Sequence, residues 1–336
     1  MTQNIRRNYS YRDHVKFGWG KGTYNFDDIT LGLPYWIKFG RCERQPMSFR
    51  EECVNAARLI SETAEKPILV FFSGGIDSEV VVRSMMEAGV SFEVLIMNVC
   101  YNELTGLNSH DTAYALDFVK RHNIKYRIYD YDVASYIMTK YLQDSHNFRL
   151  NVLGFAVHAD ISRVFCHDYL CIFGSTIVAL FRGRLMDNLT ISEGIFTEGM
   201  ITEHTTGIIS PLNVVSNLGE TMIYGFFQYT PELMLSWILN DDIQHWMKYE
   251  QAFLNISSRA IKPWVIHKLW DDIIPRPKYT SFEYFDIMQG TRDKWREYDP
   301  ELVAAFESDE KFIRDGTRVI YTCDELVDML SPTINK

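Results

Sequence analysis

Ile68-Leu69-Val70-Phe71-Phe72-Ser73-Gly74-Gly75-Ile76-Asp77-Ser78 decides how this chain is read. An unbroken apolar run marks a strand buried on both faces, as in a parallel sheet. Two glycines follow, where the backbone can take positive φ and come close to a ligand. Beyond them Val80, Val81, Val82, Met85 and Met86 recur at helical spacing. A strand, a glycine turn and a helix start make a corner in which the unpaired amides of the first helical turn point at an anion. The helix dipole favours negative charge at the same place. Ser73 and Ser78 add hydroxyls, and Asp77 is placed to hold a magnesium ion or to orient the loop. No Gly-Lys-Ser/Thr follows the turn, so a Walker-type loop is a poor fit.

The pattern continues in both directions. Ser48 with Glu51 three residues later makes a capping box for a helix over 49–64, ended by Pro67. After the corner come a strand over 92–99, a helix over 109–122 and a strand over 124–132. Helical segments over 133–143 and 153–168 then lead to a strand over 169–174. Strands alternating with helices imply right-handed crossovers and a doubly wound parallel sheet. Ligands of such sheets bind at the carboxyl ends of the strands, near the point where strand order reverses. This rule selects Phe72 and the glycine corner, Met97 and Asn98 at the end of the second strand, and Gly174-Ser175 at the end of a later one. Asp130 and Asp132, ending the third strand, read as capping or solvated residues.

The string Ser73-Gly74-Gly75-Ile76-Asp77-Ser78 after a β-rich run resembles the PP-loop ATP pyrophosphatases, the adenine nucleotide alpha-hydrolase-like (HUP) superfamily. The match covers residues 66–100 closely and 66–182 loosely, in a divergent form similar to PP-loop proteins of bacteriophages. The resemblance implies ATP and Mg2+ as cofactors and cleavage between the α and β phosphates. An acceptor would be adenylated, and a nucleophile, often ammonia, would then displace AMP. It assigns Ser73, Gly74, Gly75, Ile76 and Ser78 to the phosphate cradle and Asp77 to the metal. The backbone at Met97 and Asn98 would lie beside the adenine, and Gly174-Ser175 would make a second glycine step toward ATP. In many such enzymes a late Lys or Arg returns over the phosphates. Arg276 and Lys278, held extended by Pro275 and Pro277, are the candidates for that catalytic role.

Three divisions are expected: an irregular, aromatic-rich N-terminal extension over 1–47, the nucleotide-binding α/β domain over 48–185, and a mainly helical acceptor region over 186–336. In the last, Thr230-Pro231 starts a helix. A net charge of -10 does not indicate nucleic acid as a partner. The expected partners are a small-molecule or nucleotide acceptor and a nitrogen donor, since Thr2 follows Met1 where a glutaminase would place a cysteine nucleophile. Neither a signal core nor a membrane-length apolar run is present, which points to the cytoplasm, or a host's if the gene is viral. An oligomer is compatible with the same reading.

The six cysteines show no Cys-x-x-Cys spacing, which disfavours zinc or redox chemistry. Cys323 lacks the surroundings of the reactive cysteine in sulfonucleotide reductases. Sulfur chemistry is thus disfavoured, and two alternatives to an adenylating ligase are carried beside it: a reductase or nucleotide- or DNA-base-modifying enzyme of that type, and a non-catalytic nucleotide-binding protein.

Overall fold

The computed structural model describes residues 15–19, 35–100, 105–141, 143, 153–174, 179–181, 184–186, 222–223, 225–249, 258–276 and 323–333. The N-terminal segment is not wholly irregular, contrary to expectation. Strands β1 (Val15–Trp19) and β2 (Tyr35–Phe39) pair antiparallel. Both are rich in aromatic and β-branched residues, which suit a pleated surface.

The central sheet contains β3 (Ile68–Phe71), β4 (Phe92–Cys100), β5 (Tyr126–Asp132), β6 (Leu170–Phe173) and β9 (Met222–Ile223). Their order is β5-β4-β3-β6-β9 and all pairings are parallel. Strands β7 (Ala179–Phe181) and β8 (Arg184–Met186) form a separate antiparallel pair. The fifth strand, β9, was not foreseen. Two residues are too short to show a period.

Alternation along the strands builds two cores, one on each face. Ile68, Val70, Val94, Ile96 and Ile172 face one side. There they meet α1 (Phe49–Thr63), α2 (Ile76–Glu87) and α3 (Ser109–Arg121) through residues such as Ile60, Met85 and Phe118. Leu69, Phe71, Leu95, Cys171 and Phe173 face the other side. They meet α4 (Val133–Thr139) and α5 (Leu153–Phe165) through Ile137, Ile161 and Phe165. Helices on both faces of a parallel sheet make this a doubly wound α/β fold. The strand order reverses between β3 and β6, so the ligand crevice of such a sheet lies above their carboxyl ends.

Beyond the sheet the described elements are mostly helices: α6 (Pro231–Ile238), α7 (Asp241–Tyr249), α8 (Ser258–Leu269) and α9 (Cys323–Leu330). The expected cap of α6 is present, with Thr230 accepting from the Leu233 amide at 3.1 Å. Trp237, Trp270 and Leu330 join the same core as α1 and α2. The late helices are thus fastened to the sheet by shared apolar burial. None of the described helices is long and apolar enough to cross a membrane.

Glu93, at the opposite end of the sheet from the crevice, is buried and held by Arg127 Nε at 2.6 Å and Lys125 Nζ at 3.0 Å. The Arg127 hydrogen bond, opposed by burial and reinforced by Lys125, keeps its carboxyl below the ordinary 4.5. A depressed folded-state pKa stabilises above the unfolded value and loses that contribution as pH falls through the folded one. Melting temperature should therefore drop on acidification below about pH 4.5. Glu93→Gln, melted across the same pH series, should show a flatter dependence.

Candidate functional site

The glycine corner joins β3 to α2 as expected. Gly74 has φ +81°, and Gly75 is the N-cap of α2 with no side-chain capping hydrogen bond. The amides of the first helical turn therefore have neither an intrahelical nor a cap partner. Ser78 Oγ lies 3.1 Å from Ser73 Oγ and donates to the Gly75 carbonyl at 2.9 Å. The Gly75 amide donates to Ser73 Oγ at 3.3 Å. Two hydroxyls and the first-turn amides thus share one corner, an arrangement of donors that suits an anion.

Backbone contact surrounds this loop closely. A Cβ on Gly74 would lie 2.1 Å from the Asp111 carbonyl oxygen, because the start of α3 sits on the loop. A Cβ on Gly174 would lie 2.7 Å from Ser78 Cα and 2.9 Å from its nitrogen. The end of β6 passes over the first turn of α2, and Gly174 also bridges to Gly225. Gly174 therefore lies against the corner itself, while Ser175 falls outside the described residues. Phe72 and Ile76 turn their side chains into the core, where the Phe72 ring meets Phe118 edge-on. At those two positions only the main chain can face the seat.

A lysine that sequence reading missed completes the charge balance. Lys262 Nζ, on α8, sits 2.7 Å from Asp77 Oδ2, with both side chains only 13% exposed. The other carboxylate oxygen, Asp77 Oδ1, is buried and has no hydrogen-bond partner among the described residues. No sequence signal could have named Lys262, since 185 positions separate it from Asp77. One orphaned carboxylate oxygen beside an anion seat fits magnesium, which is usually held by one or two carboxylates together with substrate phosphates. Among the described residues no group of three His, Cys, Asp or Glu could hold a metal without such help.

Arg276 also reaches the loop. Its Nε donates to the Gly74 carbonyl at 3.0 Å and its Nη2 to Glu79 at 2.8 Å, with the guanidinium 3.5 Å above the Tyr114 ring. Glu79 is fully buried and accepts from Tyr114 and Arg83 as well. Burial, with the Glu79 charge second, pushes the Tyr114 hydroxyl up to about 12, so it stays a neutral donor. Arg276 thus clamps the loop carbonyl to a buried carboxylate. Lys278 lies outside the described residues. Arg276→Met should lower stability by about 2 kcal/mol by urea denaturation. Arg276→Lys should restore little of it, because an ammonium cannot serve both acceptors while stacking on the ring.

At the end of β4, Asn98 gives its side chain to Asp130 at 2.6 Å, and Met97 is partly buried against the second core. Asp132 caps α4 by accepting from the Ser135 amide at 3.0 Å. The neighbouring main-chain groups are taken by Asn108, whose Nδ2 donates to the Met97 carbonyl at 2.8 Å and whose Oδ1 accepts from the Val99 amide at 2.9 Å.

No protein-family model matches this chain, and no curated protein sequence does. Among solved structures it is similar to an NH3-dependent NAD synthetase from Campylobacter jejuni, at 15% identity and TM-score 0.33, covering 86% of this chain and 98% of that one. It is also similar to an NMN synthetase from Francisella tularensis, at 16% identity and TM-score 0.28, covering 70% and 98%. At these values the functional reading stands on the geometry of the site alone.

Proposed function

We propose that the chain is an ATP-binding enzyme that cleaves the α–β phosphate bond, adenylates an acceptor and releases pyrophosphate, in the manner of a ligase. The observation that carries this reading is the juxtaposition of the anion seat with the buried, unpartnered Asp77 Oδ1 and the Lys262 ammonium. A buried carboxylate oxygen with no hydrogen-bond partner is costly to keep from water unless a cation comes to it with the ligand. Magnesium, when bound, would neutralise phosphate charge and fix the orientation of the departing group.

The remaining work falls to the chain's own groups. The amides of Gly75, Ile76 and Asp77 and the hydroxyls of Ser73 and Ser78 would hold the terminal phosphates in line for attack at the α-phosphorus. Lys262 would move its charge from Asp77 to a phosphate oxygen as negative charge builds on the leaving pyrophosphate. Arg276, Glu79 and the start of α3 keep the loop rigid, so that donors are in place before reaction begins. A thiol mechanism finds no support in the described buried cysteines. Burial raises the Cys171 thiol to about 12, as it does Cys42, and raises Cys53 and Cys100 too.

The test is product analysis with ATP, Mg2+, ammonia and a panel of small carboxylates and nucleotides. AMP and pyrophosphate in equal amounts are expected with the right acceptor. ADP and phosphate as sole products would overturn the reading.

A further inference from the structure

Strand β4 runs well past its neighbour. Phe71 of β3 pairs with Leu95, and the last ladder contact on that side is the Phe72 amide on the Leu95 carbonyl at 2.9 Å. Residues two apart in a strand turn their main-chain groups to the same side. Met97 and Val99 therefore present a carbonyl and an amide toward β3's side, above the glycine corner, where among the described residues no strand pairs with them. Their other side is occupied, since β5 accompanies β4 as far as Cys100↔Asp132. An acceptor and a donor side by side at the crevice form a reading edge for a planar group carrying the complementary donor and acceptor.

The Asn108 carboxamide fills that edge with both bonds, Nδ2 to Met97 O and Val99 N to Oδ1. One partner can only accept and the other can only donate, so the orientation of the amide is fixed by the network. Asn108 is also the N-cap of α3, where an asparagine side chain ordinarily accepts from the helix's first amides, yet it makes no such bond. Its side chain turns back to β4 instead. The loop is already closed without it, by the Leu107 amide on the Val99 carbonyl at 3.0 Å.

A carboxamide and the amidine edge of adenine offer the same adjacent donor and acceptor. We infer that Asn108 is a built-in occupant of the base-reading edge, and that an adenine nucleotide seats its base by displacing the Asn108 carboxamide. This inference rests on the proposed adenine-nucleotide reading of the glycine corner. Its consequence is a competition: base affinity is lowered by the fraction of molecules in which Asn108 holds the edge. The phosphate seat does not share that penalty.

Calorimetry with AMP, ribose 5-phosphate and pyrophosphate on the full chain separates the two. Asn108→Ala should bind AMP roughly fivefold more tightly, the worth of about one ordinary hydrogen bond. Ribose 5-phosphate and pyrophosphate should bind as they do to the unaltered protein. Because Asn108 also stands at the start of α3, the unaltered protein supplies a second readout that needs no substitution. The Asn108 side-chain amide resonances should shift on adding AMP and stay put on adding ribose 5-phosphate. Unchanged or weaker AMP binding by a folded Asn108→Ala, or Asn108 resonances indifferent to AMP while AMP binds, would overturn the inference and leave the phosphate seat standing. Failure of all three probes to bind either protein would instead bring down the nucleotide reading and this inference with it.

Discussion

Replacing Gly74 with alanine is expected to destabilise the protein by about 2–5 kcal/mol and to abolish nucleotide binding. Two costs add at this position. The backbone holds φ +81°, where an L-residue is strained, and the new methyl would lie 2.1 Å from the Asp111 carbonyl oxygen. A backbone oxygen cannot rotate away as a side chain can. Either the loop must unwind or α3 must lift from it, and both dismantle the seat. Gly89→Ala is the control, because φ is +66° there but nothing lies within 4 Å of the added carbon. It should cost only about 1–2 kcal/mol, the conformational part alone. Urea denaturation of both variants checks the difference. Equal losses would mean that the α3 contact contributes nothing. Gly174→Ala, whose methyl meets the Ser78 backbone, should resemble Gly74→Ala in binding.

Under the proposed function, Asp77→Asn should reduce ATP cleavage by about a thousandfold, because it would remove both the anionic ligand proposed for the metal and the charge that holds Lys262. It should also cost about 2 kcal/mol of stability, since the Lys262 ammonium would be left part-buried beside an amide and a helix N-terminus. The informative variant is the pair Asp77→Asn with Lys262→Met. Removing both charges should recover most of the lost stability, as replacing a buried ion pair by neutral groups commonly does. Turnover should not return. A purely structural salt bridge would show the opposite coupling, with stability and activity restored together. Thermal melts and pyrophosphate release on the two single variants and the double separate these cases. Wild-type rates in Asp77→Asn would remove Asp77 from the chemistry.

The corner around Ser73–Ser78 was legible because each of its parts is local. A buried strand writes an apolar run, a turn needing positive φ writes glycine, and an amphipathic helix writes its period. The capping box at Ser48 and Glu51, both of whose hydrogen bonds are present, was readable for the same reason. The alternation of strands and helices fixed a doubly wound sheet, because crossover handedness and two-faced burial leave few other arrangements.

Other features had no local sign. Arg276 was expected over the phosphates on the strength of the family resemblance, and the fold directs its guanidinium to the Gly74 carbonyl and Glu79. Asn108 carries the ordinary signature of a helix cap, and its side chain goes to β4. Lys262 stands on a helix with nothing to mark it, and only the packing of α8 near the corner brings it to Asp77. Backbone preference and periodicity act over a few residues, so they determined the strand, the turn and the helix. Which cation meets which carboxylate depends on how distant segments share one apolar core, and that choice belongs to the tertiary structure alone.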